Sequence, residues 1–240
     1  MKRRQRILNA ALILLLVAVL CCGWLLVSEL RKKAAMDAAS DTAQGARPAD
    51  SELMDFADLL AQNPDVVAWL TVPGTAIDYP VLQSDDNNTY LRQDLKKQYN
   101  VNGSLFLDYR ARADFSDFNN VIYGHHMKSG RMFQNLVKFR DKAFFDEHGE
   151  AVLYTPGATY RLEIFAALLA DSRSEFYEYR FPDPNSRTAH LQDIRDKAVC
   201  LREIEIGAED RLLAMSTCSY EYESARTIVI ARITRSSQNG

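Results

Sequence analysis

Apolar residues follow three different periods along this chain. From Ile7 to Val27 they run almost unbroken for 21 residues, interrupted mainly by Asn9 and Gly23. At about 1.5 Å per residue, such a helix matches the ~30 Å hydrocarbon core of a bilayer. After Asp50-Ser51 the pattern becomes helical, with Leu53, Met54, Phe56, Leu59 and Leu60 spaced for one face up to Asn63-Pro64. Beyond Pro64 the apolar runs are short. Val66 to Val72 and Ala76 to Leu82 flank the turn Pro73-Gly74, and Ala151 to Thr155 and Tyr160 to Leu169 flank Pro156-Gly157. Ser104 to Leu107 and Asn120 to Tyr123 read as buried strands, and Arg211 to Cys218 and Arg226 to Ile233 as a final hairpin. Two inserted segments differ. Arg131 to Phe139 is amphipathic, and Ser186 to Ile204 reads as a helix through Leu191, Ile194, Ala198 and Leu201. The sum predicts a mainly β protein with inserted helices, built as a closed or partly closed β-barrel.

The apolar run reads as an uncleaved signal anchor. No small-x-small cleavage site closes it, and it exceeds the apolar core of most signal peptides. The expected organisation is a basic cytoplasmic tail (1–6), a transmembrane anchor (7–27), a linker (28–50) that is a flexible stalk from residue 34, an extracytoplasmic domain (51–235) and a short tail (236–240). Residues 51–240 hold 21 Lys+Arg against 28 Asp+Glu, a net of −7. That acidity argues against a nucleic-acid partner.

The chemistry centres on Cys218. It ends one strand, and Arg226, separated from it by seven residues, begins the next. An antiparallel hairpin would bring thiol and guanidinium to one rim, where a fixed positive charge favours the nucleophilic thiolate. Strand parity puts Leu212, Ala214, Ser216 and Cys218 on one face and Thr217 on the other. A strand cysteine is more often a buried small hydrophobe, so the reactive reading needs a base. Asn120-Val-Ile-Tyr-Gly-His-His-Met127 offers one. Its apolar strand ends at Gly124, whose conformational freedom permits a turn, and His125 emerges at the strand end. His126 competes with it on spacing alone. No C-x-x-C occurs, and His125, His126, His148 and His190 have no zinc-ligand spacing, so neither metal nor cofactor is expected. A Cys200–Cys218 disulfide would consume the nucleophile. Ile77, Tyr79, Tyr90 and Leu91 read as core, whereas Phe176, Tyr177, Tyr179 and Phe181 are available to wall a groove.

Tyr123-Gly-His-His-Met127 followed by Met132-Phe133, together with Ser216-Thr-Cys218 and Arg226, closely resembles the class B sortases. These are membrane-anchored cysteine transpeptidases of Gram-positive bacteria. The resemblance covers roughly residues 50–235. It implies an eight-stranded β-barrel with an N-terminal helix and a long helix before the Cys strand. It also implies Cys218 as nucleophile, His125 as acid/base and Arg226 as the residue that orients substrate and stabilises the tetrahedral intermediate. Ser216, Thr217 and Tyr220 are auxiliary or substrate-binding candidates. Met215 replaces the family's usual Leu, a volume-conserving change, and Tyr220 stands where some members carry an acid.

The implied partners are surface proteins with a C-terminal sorting signal like Asn-Pro-x-Thr, cleaved after Thr through a thioester, and a peptidoglycan amine that resolves it. Pilin polymerisation on a Lys acceptor and a catalytically silent membrane-tethered peptide-binding module are the competing functions.

Overall fold

The computed structural model describes residues 2–47, 54–127, 129–171, 173–218 and 224–235. Met1–Asp41 and Thr42–Gly240 form two compact units. The first is made of helix α1, whose range is Lys2–Gly45. Its apolar side chains between Leu12 and Leu30 are exposed, and the helix is long and apolar enough to cross a membrane. The stalk expected from residue 34 is helical as far as Gly45. Ala34, Ala35, Ala38 and Ala39 are strong helix formers and outweigh the polar residues among them.

The second unit contains α2 (Ala57–Gln62), β1 (Val66–Thr71), β2 (Asp78–Leu82), β3 (Leu105–Leu107), β4 (Asn119–Tyr123), α3 (Lys142–Glu147), β5 (Glu150–Thr155), β6 (Ala158–Asp171), α4 (Pro184–Lys197), β7 (Ala198–Leu201), β8 (Arg211–Cys218) and β9 (Ala225–Arg235). Eight strands pair in the order β5-β1-β2-β3-β4-β8-β9-β6, and β6 returns to β5. This is the eight-stranded barrel expected, and closure removes the exposed strand edges. The 14-residue β6 makes closure possible, because its first half pairs with β5 and its second half takes β7 as a ninth strand.

Three segments differ from their sequence expectation. The helix expected from Asp50-Ser51 is the short α2, Ala57–Gln62; residues 54–56 before it are not helical, and Asp50-Ser51 lies outside the described residues. The amphipathic segment forms a 3₁₀ turn, Gln134–Arg140, with Leu136 and Phe139 buried. The long helix ends at Lys197 instead of Ile204. It starts on a capping box, in which the Asp183 carboxylate accepts from the Ser186 amide at 2.9 Å, with Pro184 in its first turn. Ala198–Leu201 then satisfies its backbone on the open half of β6, with Ala167 opposite Cys200. Val199 is exposed and Cys200 buried, so the period has changed from helical to alternating.

Alternation along the strands sorts the core. Leu70, Leu105, Ile122, Leu213, Met215 and Val229 fill the barrel interior. Val121, Leu212, Ala214, Ile228 and Ile230 face outward and are covered by Phe176, Leu191 and Ile194 of the inserted segment and α4. A third cluster joins Leu59 of α2 to Trp69, Tyr90 and Phe106.

Candidate active site

Strand β8 lies between β4 and β9. It runs parallel to β4, with Val121 opposite Ala214 and Tyr123 opposite Ser216. The Gly124 amide extends this ladder by donating to the Ser216 carbonyl at 3.1 Å. The next step of that register brings the backbone of His125 level with Cys218. On its other side β8 is antiparallel to β9, with Cys218 opposite Arg226. The backbones of His125, Cys218 and Arg226 therefore come to one rim of the sheet.

The rim belongs to the outer wall of the barrel, not to its interior. Leu212 and Ala214 pack outward, and Ser216 continues their row; Val121 and Tyr123 lie on the same side of β4. A groove of about 360 Å³ opens there, bordered by Leu91, His125, Tyr177, Ser216, Thr217 and Arg226. Ser216 and Thr217 are buried. Thr217 faces Thr227 across the ladder. Arg226 is half-buried and donates to the Ala225 carbonyl at 3.0 Å. Further along this strand, Arg232 is bound to the Glu163 carboxylate. Tyr220 lies outside the described residues, as do Glu221 and Glu223.

Gly124 is needed for a different reason than expected. Among positive-φ glycines are Gly74, Gly103 and Gly130, but not Gly124. Instead, a Cβ at Gly124 would stand 2.4 Å from Leu105 Cδ2 and 2.7 Å from Phe133 Cδ2. Close packing against the interior, and not backbone conformation, requires glycine beside His125.

His125 donates from Nε2 to the Leu91 carbonyl at 2.9 Å. Burial, and the charges of Arg92 and Arg226, lower its pKa; the bond to Leu91 pulls in the opposite direction. The ring is thereby kept neutral near pH 7. His126 bridges to Met132 through its backbone instead. Cys200 is free and buried, its Sγ 3.5 Å from the Arg140 carbonyl, and burial pushes its thiol pKa up.

The wall opposite the sheet comes from the inserted segment. Tyr177 stacks on Tyr123, with ring centroids 5.9 Å apart, and its hydroxyl is 2.8 Å from Ser216 Oγ. Asn119 holds the segment by donating from Nδ2 to the carbonyls of Phe176 at 3.1 Å and Glu178 at 2.9 Å. Asp108 lies at the centre of a second set of ties. It pairs with Arg110 at 2.8 Å and accepts from the Tyr123 hydroxyl at 3.0 Å and from Asn87 Nδ2 at 3.2 Å. Arg110 in turn donates to the Tyr177 carbonyl at 3.2 Å and lies over the Tyr179 ring. Of the four aromatics available to the groove, Tyr177 borders it, Phe176 is core, Phe181 packs partly buried against that core, and Tyr179 supports Arg110.

Leu91 borders the groove, contrary to the expectation of core, whereas Ile77, Tyr79 and Tyr90 are buried as expected. The sequence did not point to Asp108, Arg110 or Asn87 as part of the site. An Asp-x-Arg triplet after a short apolar strand carries no signal until β3 and β4 are paired.

Comparison with known proteins agrees with this architecture. The Sortase domain model matches residues 70–234. Sortase B of Listeria monocytogenes is 37% identical over 182 residues, covering 75% of this chain and 74% of that protein. A Streptococcus pyogenes class B sortase involved in pilus biogenesis is 40% identical, with a TM-score of 0.70 over 75% of this chain and 98% of that one. A Bacillus anthracis protein similar to sortase B gives a TM-score of 0.75 at 28% identity, over 87% of this chain and 98% of that one. This chain belongs to the sortase family and, within it, to class B. It is a cysteine transpeptidase whose substrates are surface proteins carrying sorting signals.

Proposed function

We propose that this sortase attaches surface proteins to the cell wall, cleaving a sorting signal like Asn-Pro-x-Thr after its Thr. The observation that carries the reading is the three-strand register that aligns His125, Cys218 and Arg226 at one rim. His125 takes the thiol proton of Cys218, the resulting thiolate attacks the Thr carbonyl carbon, and Arg226 donates to the oxyanion that forms. The carbon–nitrogen bond then breaks. The departing amine takes a proton from His125, leaving a thioester on Cys218. An acceptor amine attacks the same carbon, gives its proton to His125 and expels the Cys218 thiolate. Ser216 and Thr217 belong to the substrate-facing surroundings of the nucleophile, and Tyr220 stays an auxiliary candidate by its position two residues after Cys218. The run Ile7 to Val27 anchors the enzyme in the membrane, with the barrel outside the cell.

The acceptor in this reading is a peptidoglycan amine. A pilin Lys is the second reading, favoured by the 40% identity to a relative involved in pilus biogenesis. Peptides containing Asn-Pro-x-Thr, offered with oligoglycine, peptidoglycan stem-peptide or Lys-bearing acceptors, separate the two when cleavage and ligation are scored independently. Cys218→Ala is expected to reduce cleavage to background. Cleavage that survives this change refutes the mechanism, and ligation only to a protein Lys replaces wall attachment with polymerisation.

A further inference from the structure

We infer that the main-chain carbonyl of Leu91 sets the tautomer of His125, and that Tyr90 and Asp65 are positioning residues that hold this carbonyl in place. The inference rests on the proposed acid/base role of His125 and extends it to a part of the fold outside the groove. A carbonyl oxygen only accepts hydrogen bonds. His125 Nε2, 2.9 Å from Leu91 O, therefore carries the proton, and Nδ1 keeps the lone pair. Nδ1 is then the nitrogen that takes the Cys218 proton, passes it to the leaving amine and later takes the acceptor's proton. In a Ser-His-Asp triad a carboxylate orients the imidazole. Here a neutral carbonyl does so, holding the ring without adding a negative charge to stabilise the imidazolium.

The carbonyl is fixed from three directions. Leu91 closes the 3₁₀ turn Thr89–Leu91, its amide donating to the Asn88 carbonyl at 3.1 Å. The Tyr90 ring is buried, and its hydroxyl donates to Asp65 Oδ2 at 2.5 Å while accepting from Asn63 Nδ2 at 3.0 Å. Lys97 completes the set, its Nζ 2.8 Å from the same Asp65 oxygen. These bonds tie the turn to the connection between α2 and β1. From the third side, Gly103 lies against the carbonyls themselves. Its φ is +56°, and a Cβ there would stand 2.4 Å from Tyr90 O and 2.7 Å from Leu91 O. The Ser104 amide donates to Tyr90 O at 2.9 Å. Asp65, Tyr90 and Gly103 are not among the residues that border the groove. They reach the chemistry through Leu91, whose carbonyl holds the imidazole. Among the described residues, the charged groups that act on the ring are Arg92, at the end of the turn, and Arg226, on β9, with Cys218 level with it.

The test uses the full chain in detergent, labelled with ¹⁵N-histidine, with the His125 signals assigned by their loss in His125→Ala. The expected wild-type spectrum at pH 8 is that of the Nε2–H tautomer. Tyr90→Phe and Asp65→Ala should mix the tautomers, lower kcat about tenfold, leave KM within about twofold and move the acid limb of the kcat/KM profile. Asp65→Asn keeps an acceptor for the Tyr90 hydroxyl and should restore most of kcat. An Nδ1–H tautomer or an imidazolium in the wild type overturns the inference, as does an unchanged tautomer and kcat in folded Tyr90→Phe. The wild-type spectrum decides even where a variant fails to fold. Full activity in His125→Ala would instead overturn the acid/base reading, while the spectrum still reports the tautomer.

Discussion

The hydroxyl of Tyr177 lies 2.8 Å from that of Ser216, joining the inserted segment to the barrel strand two residues before Cys218. A contact across 39 residues of sequence thus closes one side of the groove beside the nucleophile. Tyr177→Phe keeps the stacking on Tyr123 and removes the hydroxyl. A double-mutant cycle with Ser216→Ala, read as kcat/KM on a sorting-signal peptide, should give a coupling energy of about 1 kcal/mol. Additive losses would mean that the two hydroxyls act independently.

The pH profile should carry the mark of the His125 environment. Burial, then Arg92 and Arg226, place its pKa below the ordinary ~6.5. If the neutral ring is the base, the acid limb of kcat/KM falls below pH 6.5. Arg92→Gln removes one of the two cations and should move that limb toward higher pH, with activity at pH 8 retained. An acid limb above 6.5 in the wild type would contradict this environment.

Asp108 is buried, and burial alone would raise its pKa. The hydrogen bonds and charge of Arg110, with help from Tyr123, bring it below the usual value. Its folded pKa is thus lower than its unfolded one of about 3.9, so its contribution to stability is present above that pH and is lost as pH falls through the folded value. Asp108→Asn should cost on the order of 2 kcal/mol in urea titrations at pH 7, because Arg110 is left part-buried without its partner. It should also raise KM, since Arg110 and Tyr123 both support Tyr177.

His190 on α4 is buried among Phe118, Phe176 and Phe181, and no described residue bonds its Nε2. Burial lowers its pKa to about 4; Lys197 acts in the same direction, Asp193 and Glu178 against it. The unfolded chain binds this proton near pH 6.5, so stability falls as pH drops from about 6.5 to about 4, by about 3 kcal/mol in all. His190→Leu should flatten that part of the stability profile. An unchanged slope between pH 6.5 and 4 in the variant would exclude His190 as its source.

The barrel was legible because a strand buried on one or both faces must write its apolar positions in short runs. The turn residues Pro73-Gly74 and Pro156-Gly157 mark where the chain reverses. The end of α4 was misread because Ala198 and Leu201 satisfy helical spacing as well as they satisfy a strand. Only the unpaired half of β6 decides between them. Gly124 was placed correctly beside His125 but for the wrong reason, since its neighbours Leu105 and Phe133 come from other elements.

Legible in the chain alone were the strand ends carrying Cys218 and His125, the alternation that puts Ser216 and Cys218 on one face, and the family resemblance that names them. They were so because those are local properties of the chain. Which face of the barrel holds the groove, that Tyr177 and Leu91 border it, and that Asp65, Tyr90 and Gly103 support the carbonyl beside His125 were decided only by tertiary structure. Each depends on the pairing of distant strands, and hydrogen bonds between distant segments leave no periodicity in a sequence.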